Sequence, residues 1–158
     1  DIDERILEVA RLADIVKCPV VDGKEFPEVD VALVEGAITS DEHFEEILHI
    51  RRHSKVLIAL GDCAIHNNVS GLRNFFNLQD VMDTAYKYAP GLDPESVAPN
   101  DPLLLKLNDK VVPLSEVVHV DHFINGCPPD ADTIFYVLFE YLNDRVPAIG
   151  ANKRIQYG

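Results

Sequence analysis

Short apolar runs alternate along the chain with stretches in which apolar residues recur at helical spacing. Apolar runs rich in β-branched residues are typical of buried strands, and recurrence every three or four residues is typical of helices. The predicted strands are residues 14–20, 30–34, 55–60 and 116–124. The predicted helices are residues 2–13, 41–53, 70–88 (in one or two pieces) and 130–142. This alternation predicts an α/β fold, a doubly wound parallel sheet in a single domain spanning residues 1–158.

Three regions depart from this regular pattern. Residues 89–113 contain five prolines and are predicted to form a long irregular excursion, of the kind that is often functional or faces a partner. Residues 143–158 are predicted to form a polar tail with a basic pair, Lys153 and Arg154. The helix predicted over 2–13 opens the chain without the strand that a βαβ unit requires, so we expect a strand upstream of Asp1.

Composition and charge narrow the function classes. A chain of 158 residues, 47% of them hydrophobic, can bury a core without disulfide or metal staples. Its net charge of −13 repels phosphate backbones, which argues against nucleic-acid binding and suits a basic docking partner. No apolar run reaches about 18 residues, so no membrane span is predicted. Three widely spaced cysteines do not form a disulfide framework, which favours a reducing, cytoplasmic compartment.

Two of the cysteines follow predicted strands in glycine-bearing turns. Cys63 lies in the segment Gly-Asp-Cys-Ala at 61–64, and Cys127 lies in Gly-Cys-Pro-Pro at 126–129. Ligands of open α/β sheets collect outside the carboxyl ends of the strands, so both thiols should lie at one edge of the molecule. We therefore predict that Cys63 and Cys127 are ligands of a shared iron–sulfur or metal site. The competing interpretation is that each free cysteine packs as a small hydrophobe.

Other chemistry-bearing residues are weaker candidates. Glu35, at the end of a predicted strand, would lie at the same edge, either near a cluster or subunit interface or as a cap for local N–H groups. Cys18 is predicted to be structural. His66 follows Cys63 by three residues, but this Cys-x-x-His lacks the second half of a zinc signature. The remaining histidines are predicted to be solvated or locally bonded on one helix, or to occupy opposite faces of one strand: His43, His49 and His53, and then His119 and His122.

Taken together, the two cysteine segments and the upstream Val-Glu-Gly-Ala-Ile at 34–38 resemble the small subunit of nickel–iron hydrogenases. The similarity is greatest to the short small subunit of the soluble, NAD-reducing (bidirectional) type. The resemblance implies a flavodoxin-like domain that holds one proximal [4Fe–4S] cluster with four cysteines. Cys63 and Cys127 match the third and fourth ligands. The first two ligands lie in an N-terminal Cys-x-x-Cys loop, which we expect upstream of Asp1.

The same resemblance implies a role and partners. The chain would be the electron-transfer small subunit of a hydrogen:NAD⁺ oxidoreductase. It would relay electrons between a Ni–Fe centre on the large subunit and diaphorase subunits that carry iron–sulfur clusters, FMN and the NAD site. No residue of this chain would split hydrogen. Longer members of the family carry further clusters in a C-terminal region, but no cysteine follows Cys127 here, so one cluster at most is expected.

One departure from the family pattern and three alternatives remain. Asn67 and Asn68 stand where relatives often carry a glycine pair, although asparagine tolerates positive φ and can preserve the turn.

A flavodoxin-like FMN-binding electron carrier, the first alternative function, would use the same strand ends. A cluster subunit of a complex I-type oxidoreductase is related, but such subunits have adjacent cysteines, which are absent here. The third alternative is a metal-free acidic adaptor.

Overall fold

The computed structural model describes residue 4 and residues 6–18, 25–93 and 95–148. The described helices are α1 (Ile6–Leu12), α2 (Asp41–Arg52), α3 (Asp62–His66), α4 (Leu78–Tyr86) and α5 (Ala131–Leu142). The described strands are β1 (Val29–Glu35), β2 (Ile38–Ser40), β3 (Ser54–Leu60), β4 (Leu107–Val112) and β5 (His122–Ile124). Described 3₁₀ helices span Asn68–Phe75 and Leu114–Glu116.

A parallel sheet of three strands, in the order β1-β3-β5, organises the described residues. The last residues of the three strands are in register, because Glu35 pairs with Leu60 and Leu60 pairs with Ile124. The segments that follow β1, β3 and β5 therefore leave the sheet at the same edge. This is the arrangement that brings ligand-binding loops together in α/β proteins.

Strand β3 is covered on both faces, as its continuous apolar sequence predicts. Leu57 and Ala59 belong to a cluster that includes Ile47 of α2 and Ala64 of α3. Ile58, which points to the opposite face, packs with residues of β5 and α5: Ile124, Ile134 and Val137. Helices on both faces of a parallel sheet confirm the α/β fold class, with β3 as its most buried strand.

A second, antiparallel pair was not predicted. Strand β2 pairs with β4, with Ile38 opposite Val112 and Ser40 opposite Leu107. The prediction that residues 89–113 are wholly irregular is therefore wrong at its end, where β4 lies between Pro102 and Pro113. The sequence of β4, Leu-Asn-Asp-Lys-Val-Val, lacks a clear two-residue alternation, and its contacts with the Asn68–Phe75 helix hold it in place.

The structure corrects two further predictions. The strand predicted over 116–124 is confined to β5, because Pro113 leads into a 3₁₀ turn and only the last three residues pair with β3. No strand forms over the described part of 14–20, where the backbone of Cys18 makes only an isolated β-bridge. The region predicted as helix over 70–88, in one or two pieces, forms two: the Asn68–Phe75 3₁₀ helix and α4. The basic pair Lys153 and Arg154 lies outside the described residues. None of the described helices combines the length and apolar character needed to cross a bilayer.

Candidate functional site

The loops that carry Cys63 and Cys127 are joined by hydrogen bonds at the carboxyl edge of the sheet. The amide of Gly61 donates to the Ile124 carbonyl oxygen (2.7 Å), and the amide of Asp62 donates to the Gly126 carbonyl oxygen (2.9 Å). In return, the Gly126 amide donates to Oδ1 of Asp62 (2.8 Å). The residue before each cysteine is thus paired with the residue before the other, so the structure brings both predicted site segments together.

Two glycines supply backbone conformations that this junction uses. Gly61 and Gly126 have φ of 83° and 139°, values that side-chain-bearing residues rarely adopt. A Cβ on Gly61 would lie 3.4 Å from the Gly126 carbonyl oxygen, and one on Gly126 would lie 2.5 Å from Cα of Pro129. The peptide bond between Cys127 and Pro128 is cis. The glycines at 61 and 126 therefore serve the junction of the two loops.

Both thiols at this edge are free and accessible. Cys63 is partly buried on α3, Cys127 is exposed, and neither is in a disulfide. The Ser70 hydroxyl lies 4.0 Å from Sγ of Cys63. A cysteine that serves as a small core hydrophobe is buried, so the exposure of Cys127 disfavours that interpretation.

The donor set fits part of a cluster site. Thiolates are the ligands of iron–sulfur clusters, and a cubane takes four of them. In the described part of the chain, no group of three or more cysteine, histidine or acidic side chains could hold a metal ion. Cys63 and Cys127 can therefore supply two ligands, and the other two would come from polypeptide outside these loops.

The segment after Cys63 turns back toward β4. Asn67 has φ of 67° and Asn68 has φ of 34°, which confirms that asparagine at these positions preserves a positive-φ turn. Nδ2 of Asn67 donates to the Val111 carbonyl oxygen (3.1 Å). His66 contacts the other cysteine loop, with Nε2 lying 3.3 Å from Nδ2 of Asn125. His66 therefore bridges the two loops and belongs to no metal-ligating group of the described residues.

The remaining predicted residues lie elsewhere or at the margin. Glu35 ends β1 at the level of Leu60, so it reaches the predicted edge and is exposed there. Cys18 is partly buried and belongs to neither cysteine loop. Two histidines, one in α2 and one directly after it, are locally bonded, as predicted: His43 Nδ1 lies 3.0 Å from the Thr39 hydroxyl, and His53 Nδ1 lies 2.8 Å from the His49 carbonyl oxygen.

The prediction for the last two histidines is wrong in one respect. His119 lies outside β5 and is exposed beside Asp121, so it shares no strand with His122. His122 is in β5, where burial lowers its pKa below the ordinary value. Neither histidine reaches the cysteine loops through a hydrogen bond of the described structure.

Sequence reasoning missed an apolar surface directly after Cys63. Four large apolar side chains of this segment are more than half exposed: Val69, Leu72, Phe75 and Phe76. Contiguous exposed apolar side chains mark interaction sites. The helical spacing of Leu72 and Phe75 predicts a buried face, so the sequence alone gives no sign that this face lacks cover.

Comparison with known proteins identifies the family. Residues 1–141 match the family described as "NADH ubiquinone oxidoreductase, 20 Kd subunit". The chain belongs to this family. Among its relatives, the NAD-reducing hydrogenase HoxS subunit delta of Cupriavidus necator is 37% identical over 148 residues, covering 92% of this chain and 71% of the relative. The family membership and this relative confirm the resemblance to hydrogenase small subunits.

A solved structure and an archaeal relative extend the comparison. One chain in the crystal structure of an NAD⁺-reducing [NiFe]-hydrogenase in the H₂-reduced state aligns with a TM-score of 0.94 at 34% identity. The alignment covers 100% of this chain and 88% of that one, which confirms the fold. The sulfhydrogenase 2 subunit delta of Pyrococcus furiosus is 31% identical over 140 residues, which cover 87% of this chain. This chain spans 52% of that relative's length.

Proposed function

We propose that this chain is the electron-transfer small subunit of an NAD-reducing [NiFe] hydrogenase. Cys63 and Cys127 would supply two of the four thiolates of a proximal [4Fe–4S] cluster. The observation that carries the proposal is the hydrogen-bonded junction of the two cysteine loops at the carboxyl edge of the sheet. The similarity to the delta subunit of an NAD-reducing hydrogenase over 92% of the chain supports it independently.

In this role the chain's own residues would hold the two cysteine loops together and orient their thiols. Gly61 faces the other loop, Gly126 leaves room for the prolines of its own loop, and hydrogen bonds between the loops hold the residues that precede the two cysteines. Cys63 and Cys127 would hold the cluster, which would supply one-electron transfer between a Ni–Fe centre on the large subunit and a diaphorase module that carries FMN and NAD. No described side chain of this chain is proposed to break the H–H bond of the substrate. The hydrogen-splitting and NAD-binding sites would lie on partner subunits.

The exposed apolar surface at Val69, Leu72, Phe75 and Phe76 supports assembly with the large subunit. It begins six residues after Cys63, and Ser70 in the same segment reaches Sγ of Cys63. Electron transfer requires the Ni–Fe centre to be close to the cluster, so the surface beside Cys63 is the one that should face the large subunit. Burial of exposed aromatic side chains is typical of interface centres.

Alanine variants of the three cysteines test the cluster assignment. We expect Cys63→Ala and Cys127→Ala to lower the iron and acid-labile sulfide of the purified complex by one cluster. They should also abolish one reduced-cluster signal in electron paramagnetic resonance. Cys18→Ala is the matched control, because Cys18 lies outside both loops and should leave iron, sulfide and the spectrum unchanged.

Three results would contradict the proposal. One is an unchanged iron content in both loop variants. The second is the same loss of iron in Cys18→Ala as in Cys63→Ala. The third is an absorbance spectrum of the isolated subunit with paired flavin bands in place of a broad cluster shoulder, which would favour the FMN-carrier alternative.

The complex I-type alternative has one observation in its favour, the family name itself. Adjacent cysteines are absent here, since Ala64 follows Cys63 and Pro128 follows Cys127. The relatives reported above are hydrogenase subunits. Electron transfer from H₂ to NAD⁺ in the purified complex, measured as NADH formed under hydrogen, separates the two functions.

A further inference from the structure

Asp62 places a carboxylate inside the junction of the two cysteine loops. Its side chain is almost completely buried, with 8% of the residue exposed. Buried carboxylates are costly unless hydrogen bonds satisfy them, so a buried aspartate at such a position has a definite partner. The partner is the amide of Gly126, which donates to Oδ1 at 2.8 Å.

This hydrogen bond links two segments that are 64 residues apart in sequence. Asp62 immediately precedes Cys63, and Gly126 immediately precedes Cys127. Backbone atoms supply two further bonds of the junction, and these do not depend on which side chain stands at 62. The carboxylate is therefore the one part of the junction that a substitution at 62 removes without changing the backbone pairing directly.

We infer that Asp62 is a positioning residue that fixes the spacing of Cys63 and Cys127 for a shared cluster. This inference rests on the proposed function. The simpler interpretation is that Asp62 only stabilises the first turn of α3, where an acidic residue interacts favourably with the helix dipole. Asparagine separates the two interpretations, because its Oδ1 can still accept the Gly126 amide, whereas its neutral side chain cannot provide the charge.

The test compares Asp62→Ala and Asp62→Asn in the assembled complex. We expect Asp62→Ala to accelerate the release of iron to a chelator by about tenfold or more, within the range seen when partners of metal ligands are removed. Its reduced-cluster resonance should also broaden or shift. Asp62→Asn should retain iron at nearly the wild-type rate. Asp41→Ala is the matched control, since Asp41 also opens a helix, α2, but is exposed and lies outside the cysteine loops.

A second variant and a local readout guard against misfolding. Should Asp62→Ala fail to assemble, Asp62→Ser replaces it, because the serine hydroxyl is polar but one bond shorter than the carboxylate. Hydrogen exchange of the Gly126 amide, followed by mass spectrometry, reports directly on its hydrogen bond to the side chain at 62. Exchange should be faster in the alanine or serine variant than in the asparagine variant, whether or not iron is bound.

The outcomes distinguish the inference from the function on which it rests. Wild-type iron retention in Asp62→Ala or Asp62→Ser would overturn the positioning role while leaving the cluster assignment intact. Equal loss of iron in Asp62→Asn and Asp62→Ala would overturn it in favour of a charge effect. A wild-type complex with no iron bound by Cys63 and Cys127 would overturn the proposed function, and the positioning role with it.

Discussion

Gly126 occupies a backbone conformation and a space that no side chain fits. Its φ is 139°, and a Cβ would lie 2.5 Å from Cα of Pro129. We expect Gly126→Ala to lower the free energy of unfolding by about 3 kcal/mol or more, combining backbone strain with overpacking. Chemical denaturation followed by circular dichroism measures this change.

Gly36→Ala is the control for the Gly126 variant. Gly36 also has positive φ, 88°, but a Cβ there would meet nothing within 4 Å. Only backbone strain remains, so we expect a loss of about 1–2 kcal/mol. Equal losses at the two positions would show that crowding by Pro129 contributes nothing.

Asp121 gives the protein a defined acid sensitivity. Burial raises the pKa of Asp121. The hydrogen bond from the Leu57 amide, the hydrogen bond and charge of Arg51, and the charge of His119 outweigh burial and hold this pKa below the ordinary value of 3.8. A lowered pKa in the folded state means that the ionised form stabilises the fold above the unfolded pKa. This stabilisation is lost as the pH falls through the lower, folded pKa.

We therefore expect the free energy of unfolding to decrease as the pH falls below about 4 in the wild type, and to decrease less in Asp121→Asn. Denaturation midpoints measured across this range test the expectation. Asp109→Asn, at an exposed position of β4, should retain the wild-type acid slope. A slope unchanged by Asp121→Asn would contradict the role of the Arg51 and Leu57 contacts.

At the scale of elements, Asn74 fastens β4 to the 3₁₀ helix at Asn68–Phe75. Its side chain accepts from the Val111 amide (2.7 Å) and donates to the Val111 carbonyl oxygen (2.7 Å), as a neighbouring strand would. Val111 is 1% exposed, so water cannot replace these bonds. We expect Asn74→Ala to destabilise the protein by about 2 kcal/mol, mostly through the unpaired Val111 amide.

The measurement for Asn74 is thermal unfolding together with hydrogen exchange of the Val111 amide. Exchange should rise in Asn74→Ala more than the global change in stability accounts for, because β4 detaches locally. Asn100→Ala removes an exposed asparagine from the loop before β4, and it should change neither the thermal unfolding nor the exchange of the Val111 amide. Protection of the Val111 amide in Asn74→Ala would contradict the account.

The sequence predicts β1 and β3 of the parallel sheet well, makes β5 too long and misses the antiparallel pair, for physical reasons. Runs such as Val56–Leu60 are apolar on both faces, and this pattern is local. Strand β4 depends instead on amide side chains of Asn67 and Asn74, which lie more than 30 residues away in the chain. Strand β5 is shorter than its apolar run predicts because Asp121 takes the Leu57 amide with its side chain before the ladder begins.

The location of the candidate site could be predicted from the sequence, but the contacts that build it could not. The rule that strand ends meet at one edge was enough to place the loops of Cys63 and Cys127 at the same edge, since it needs only strand order and direction. The hydrogen bond between Asp62 and Gly126 could not be inferred, because nothing in the sequence around 62 indicates a donor 64 residues away. The exposed face of the Asn68–Phe75 helix was equally hidden, because periodicity cannot tell a core from an interface.

At the scale of the whole molecule, the apolar surface beside Cys63 should decide assembly. Phe75 is 83% exposed, so Phe75→Ser should leave the fold of this chain intact. We expect it to weaken association with the large subunit by about tenfold or more, since aromatic residues often dominate interfaces. Co-purification with a tagged large subunit, followed by dilution and size-exclusion chromatography, measures the change.

Val146→Ser is the control at matched exposure. Val146 is 80% exposed but lies after α5, outside the segment that follows Cys63. It should leave the association with the large subunit unchanged. Similar weakening by both substitutions would indicate a general solubility effect, and no weakening by Phe75→Ser would assign the interface to another surface.

The short ladder between β3 and β5 has a consequence for the order of assembly. Three register pairs join β5 to β3, and this strand delivers one of the two thiol-bearing loops. The loops of Cys63 and Cys127 come together only once β5 docks on β3, so under the proposed function the cluster would be inserted after that docking. Transient release of β5 would then withdraw Cys127, one of the four thiolates of the proposed cluster, while α2, β1 and β3 stay in place.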